Sequence, residues 1–84
     1  LRWLLQASMQ GHADAQYNLG VIYLQGKILP HNAVEAVKWF IISGESGNER
    51  GQKATKIFLN EITPQQNSEA QKLAQEWMER HNKK

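Results

Sequence analysis

Apolar and small residues along this chain recur at helical spacing, in segments separated by glycine, asparagine and proline. From Ala13 to Gln25 the positions Ala15, Leu19, Ile22 and Tyr23 share such a spacing, and Gly26 follows where a left-handed C-terminal cap is expected. From Ala33 onward Ala33, Ala36, Val37, Phe40 and Gly44 stand at i, i+3, i+4, i+7 and i+11. Asn32 precedes them as an N-cap with Glu35 three residues on, a capping-box-like start, and the helix is expected to end at Gly47. Trp39, Ile41, Ile42 and Ser43 widen its stripe, as in an element packed on two neighbours. Asn48 can cap a further helix through Ala54, Ile57, Phe58 and Ile62. Thr63-Pro64-Gln65-Gln66 then places a hydroxyl at the N-cap, proline at the first helical position and glutamine at the third, so a last helix should run to about His81. Leu1 to Gln10, with Trp3, Leu4, Leu5, Ala7 and Met9, reads as one more helix ahead of these four.

The segments repeat. Arg2-Trp3-Leu4-Leu5 matches Lys38-Trp39-Phe40-Ile41, and Gly11 with Gln16 matches Gly47 with Gln52, each at an offset of 36 (39 − 3, 47 − 11, 52 − 16). Trp77 follows Trp39 by 38, and Pro64 follows Pro30 by 34, so the last unit has drifted in its connecting loop. The expected architecture is all-α, a right-handed solenoid of antiparallel helix pairs with about five helices. Residues 1–11 would be the last helix of a preceding repeat, 12–47 a complete repeat and 48–84 a diverged capping repeat. The final helix carries Ala70, Leu73, Ala74, Trp77 and Met78 on one side, with Gln71, Lys72, Gln75, Glu76, Glu79 and Arg80 around the rest. Such one-sidedness is how a solenoid closes itself against water, so Lys84 is expected near the true C-terminus. The first helix has no partner helix of its own and the chain has no initiator Met. Either upstream repeats precede it, or Leu1–Gln10 pairs with a second copy in a homodimer.

Ala15-Gln16-Tyr17-Asn18-Leu19-Gly20-Val21-Ile22-Tyr23, then Gly26, Ala36, Lys38-Trp39-Phe40 and Gly47, resembles the Sel1-like repeat, a relative of the tetratricopeptide repeat with a longer period. Trp77 continues the pattern. The resemblance covers Ala13 to Gly47 well, and the terminal unit departs from it: Gly51, Thr55, Lys56 and Leu59 stand where Ala, Leu, Gly and Tyr are expected, so its hairpin should be looser. In the well-matched unit Gly20 lets its helix approach Ala36 closely, while Tyr23 and Trp39 fill the wedge between repeats. The resemblance implies a protein–protein adaptor or scaffold, of the kind found in membrane-associated degradation complexes in eukaryotes and in signalling or host-interaction roles in bacteria. Some cysteine-rich bacterial relatives are linked to penicillin-like compounds; this chain has no cysteine.

Composition narrows the classes further. An 84-residue chain with 40% hydrophobic and 21% charged residues is one globular domain, with no apolar run long enough to insert into a membrane. The net charge of +2 is scattered, with basic residues adjoining only at Lys83 and Lys84, so a nucleic-acid face is not expected. The absence of cysteine is compatible with either redox compartment, which leaves localisation open. His12, His31 and His81 lack a carboxylate or second histidine at the spacing that aims two ligands at one metal, so neither metal nor cofactor is expected. Glu45, Glu49, Glu76, Glu79 and Arg80 read as a salt-bridged surface, and no nucleophile motif or phosphate loop suggests an enzyme. Because Trp3, Trp39 and Trp77 recur at the repeat period, they are expected in the core.

Tyr17 is the exception. With Asp14, Val21 and Leu24 it occupies a face of its helix away from Leu19 and Tyr23. By analogy with tetratricopeptide solenoids that face lines a concave, peptide-binding groove. The next repeat aligns Arg50, Lys53, Ile57 and Asn60 beside it. The expected site is an apolar strip of Tyr17, Val21, Leu24 and Ile57 flanked by Lys53 and Arg50, suited to an acidic or carboxylate-ended peptide. The alternatives are that these residues are simply exposed or cover a neighbouring repeat, that the chain is a structural cap, or that a hydrolase or ligand-binding site lies upstream.

Overall fold

A computed structural model describes residues 2–26 and 32–82. Pro30, His31, Leu1, Lys83 and Lys84, on which parts of the sequence reading fell, lie outside them. Five helices follow in order: α1 (Arg2–Met9), α2 (Ala13–Gln25), α3 (Ala33–Glu45), α4 (Glu49–Leu59) and α5 (Pro64–Asn82). Together they measure 33 × 26 × 20 Å. The array is the all-α repeat solenoid that the spacing predicts.

The helix starts sit where their capping side chains put them. Asn32 Oδ1 accepts from Glu35 N at 3.1 Å, and Asn48 Oδ1 accepts from Gly51 N at 2.9 Å, each satisfying an amide that the first turn leaves orphaned. At α5 the box is reciprocal: Thr63 Oγ1 accepts from Gln66 N and Gln66 Oε1 accepts from Thr63 N, both at 3.1 Å. The start of α3 completes only half a box, because the Glu35 carboxylate turns away to Lys38 at 2.8 Å. Asn32 N donates instead to Tyr23 O at 3.2 Å, which ties the α3 entrance to the end of α2.

The helix ends show the repeat at the level of single bonds. Past α1, Gly11 has φ +92°, with Gly11 N donating to Ser8 O and His12 N to Ala7 O. Past α3, which stops two residues earlier than expected, Gly47 has φ +102°, with Gly47 N donating to Gly44 O and Asn48 N to Ser43 O. The left-handed conformation turns the chain back so that the next amides reach the orphaned carbonyls, and glycine adopts it without a Cβ penalty. A side chain reinforces each corner. Gln16 Nε2 donates to Ser8 O and Gln52 Nε2 to Gly44 O, both at 3.0 Å. All these partners are related by 36 residues.

Helix α3 is the hub: α2, α4 and α5 all pack on it, whereas α1 packs on α2. Its two faces serve two clusters. Trp39 and Ile42 join Leu19 and Ala74, flanked by Leu4, Leu5, Tyr23, Trp77 and Met78. Ala36 and Phe40 join Ala54, flanked by Tyr17, Val21, Tyr23, Leu24 and Phe58. Close approach depends on missing side chains. A Cβ on Gly20 would stand 2.8 Å from the Phe40 ring and 3.1 Å from Ala36 O, and one on Gly51 would stand 2.9 Å from Gly44 N and closer still to Ser43 Oγ. Gly20 therefore meets the Phe40 ring as well as the expected Ala36.

Two expectations are corrected. Trp3 is 74% exposed, whereas its counterparts pack together, Trp39 meeting Trp77 edge-on at 5.5 Å. Helix α3 has neighbours on several sides, but α1 turns Leu4 and Leu5 to the core and leaves Trp3 outside. The surface network of Glu45, Glu49, Glu76, Glu79 and Arg80 does not form either. Among the described residues the ion pair found is Glu35–Lys38, in keeping with how little an exposed pair gains after ordering two long side chains.

Candidate partner-binding groove

Helices α2 and α4 both pack on α3, and residues at the start of each line a shared cleft. At its entrance Asn48 Nδ2 donates to Asp14 Oδ1 at 2.7 Å, which links the starts of α2 and α4 across 34 positions of sequence. Asp14, Tyr17, Asn18, Asn48, Glu49 and Arg50 line a cleft of about 500 Å³ there. Asn48 thus has two roles, since its Oδ1 caps α4 while its amide holds Asp14.

Deeper along α2, Tyr17, Val21 and Leu24 are half-buried. They pack on the Ala36–Phe40–Ala54 cluster, with the Tyr17 and Phe40 rings 5.7 Å apart and tilted by 42°. Tyr17 therefore divides its surface between the core and the cleft. Phe58 stacks on the far side of the cluster, 5.6 Å from Phe40 and nearly parallel at 15°. On α4, Lys53 is exposed and Ile57 is 59% exposed, a large apolar side chain left to water. The structure brings Asp14, Tyr17 and Arg50 to one cleft and sets Val21 and Leu24 on the adjoining core cluster. Lys53 and Ile57 stand on the outer surface of α4.

The arrangement offers hydrogen-bonding groups and the exposed side chains of Arg50 and Lys53 beside half-buried apolar surface. Among the described residues no three His, Cys, Asp or Glu side chains gather as a metal centre, and no helix is long and apolar enough to cross a membrane. Of the histidines, His12 precedes α2 without a capping bond, whereas His81 lies near the end of α5 with its ring on Trp77. Burial, and secondarily the Glu35 carboxylate, raise the Tyr23 phenol above its ordinary pKa.

Sequence reasoning missed the Asp14–Asn48 link and the His81–Trp77 stack. The second had a signal, since the two residues are four apart on one helix. The first joins residues 34 apart and emerges only once α2 and α4 are packed.

The model of the Sel1 repeat family matches residues 1–12 and 13–48, more than half of the chain. No curated protein and no solved structure matches it.

Proposed function

We propose that this chain, which belongs to the Sel1 repeat family, holds a protein partner along the α2–α4 face and grips an acidic or carboxylate-ended segment of it. Sel1 repeats are generally protein–protein interaction modules, and the family is generally a non-catalytic scaffold. What supports the finer reading is the gathering of Asp14, Tyr17 and Arg50 around one cleft, with Lys53 exposed on the same helix as Arg50.

The division of labour follows from the surroundings of each group. Tyr17, braced by Phe40, offers a rigid ring with a polar edge, and such side chains anchor interfaces at low entropic cost. Arg50 can present a planar fork to a carboxylate, while Lys53 adds a point charge that favours encounter with an acidic segment. Val21, Leu24 and Ile57 supply apolar contact.

Titration of the chain with fluorescent peptides of graded acidity tests this. The native chain should bind an acidic, carboxylate-ended peptide saturably. Tyr17→Ala should weaken binding, and Lys53→Glu should weaken it while relaxing the preference for acidic sequences. Undiminished binding by both variants would refute the groove.

A further inference from the structure

We propose that the cleft at the carboxyl ends of α1, α3 and α5 is a binding site for a soft monovalent cation of the copper(I) type, held by the thioethers of Met9 and Met78 and by His81 Nε2. It shares no residue with the groove and does not depend on the peptide-binding reading.

The chain has two methionines, and both line this cleft of about 470 Å³ together with His81, Trp77 and Glu45. Met9 is 53% exposed at the end of α1, so core filling does not account for a long apolar side chain there. Met78 and His81 are three residues apart on α5 and so share a face. The orientation of His81 is fixed in two ways. Its ring stacks on Trp77, 3.9 Å between centroids and 12° from parallel. Its Nδ1 lies 2.8 Å from Trp77 O. Because a carbonyl only accepts, Nδ1 carries the proton in the neutral imidazole and the Nε2 lone pair is left free. A backbone carbonyl on one ring nitrogen is the device that orients metal-ligating histidines through the other.

The helix ends at the cleft favour a positive occupant in part. Helix carboxyl ends carry partial negative charge, and neither α1 nor α3 has a basic residue in its last turn, whereas α5 carries Arg80 there, outside the cleft lining. The described lining holds no Lys or Arg, and it adds the exposed Glu45 carboxylate. Hard cations prefer several oxygen ligands, and zinc prefers thiolate, imidazole and carboxylate in fours. Two thioethers and one imidazole instead select a soft ion. Because two of its three ligands are methionines, such a site leaves no mark in histidine and carboxylate spacing.

The test uses silver(I), a redox-inert probe of the same softness, added to the whole chain in chloride-free buffer. Calorimetry should show one saturable ion per chain, and the ε-methyl resonances of Met9 and Met78 and the His81 ring signals should shift together. Met9→Leu, Met78→Leu and His81→Gln should each weaken binding roughly tenfold or more, at least the loss seen when a supporting group of a metal site is removed. Met9 and His81 are exposed, so their variants keep the test valid even if Met78→Leu perturbs folding. The Tyr17→Ala, Lys53→Glu chain should bind silver as the native one does. No saturable binding, equal binding by Met9→Leu and His81→Gln, or zinc binding as tightly as silver would overturn the proposal.

Discussion

The two helix pairs of this chain occupy corresponding places in the repeat, yet they are built differently. In the first, α2 settles into α3 because Gly20 leaves a notch under the Phe40 ring. In the second, Lys56 stands at the position equivalent to Gly20 and points into water, and Thr55, in the place of Leu19, bonds its own helix at Gly51 O. Helices α4 and α5 consequently pack on α3 and barely touch each other. The glycine that permits close approach has moved to Gly51, which lies against Ser43 and Gly44 of α3. The first pair is thus held by its own seam, and the second is held by the preceding helix. A repeat can lose its internal lock and keep its place so long as one neighbour serves both of its helices.

Four comparisons test how the two pairs are held. The largest effect should come from Phe40→Ala, which opens a void where α2, α3 and α4 meet; urea unfolding should show a loss of about 3–5 kcal/mol. Phe58→Ala, on the half-buried outer side of the same stack, should cost clearly less. Equal losses would mean that the two pairs share the core evenly. Next, Gly20→Leu should destabilise by about 1–3 kcal/mol through overpacking against Phe40, whereas Lys56→Leu should change stability by about 0.5 kcal/mol or less. A costly Lys56→Leu would show a seam between α4 and α5.

Caps come third. Removing Asn48 should cost about 1 kcal/mol for the lost cap, as for Asn32→Ala, plus whatever the Asp14 link contributes. A double-mutant cycle with Asp14→Ala isolates that extra part, and a coupling of zero would show that the link between α2 and α4 is ornamental. The smallest effect concerns pH. The folded state holds the Tyr23 proton more tightly than the unfolded chain does. Its stabilisation is therefore complete below the ordinary tyrosine value of about 10 and is lost as pH rises through the higher folded value. Unfolding midpoints should fall in that alkaline window, and Tyr23→Phe should flatten the fall.

Much of this was legible in the residue order because helix boundaries are written in local chemistry. Asn32, Asn48 and the Thr63–Gln66 pair announce their helices with side chains that reach only three residues, and the 36-residue offset of Gly11 and Gly47 marks two identical corners. Burial is less legible. Trp3 and Trp39 are equivalent by period, but burial depends on what other elements lay over each position, and only Trp39 has α5 above it. The groove suffers the same limit. Helical spacing puts Tyr17, Val21 and Leu24 on one face, but not the half-burial of that face on Phe40. Glycine carries the reverse ambiguity, since Gly51 reads as a departure from the family pattern and turns out to be the contact that seats α4 on α3.

The glutamine-reinforced corners bear on how quickly the chain acquires its shape. Every bond in them spans eight residues or fewer, so each corner closes only a short loop, and little chain entropy is lost before the corner holds. Two preformed elbows then reduce the search for long-range order to docking rods about hinges already bent.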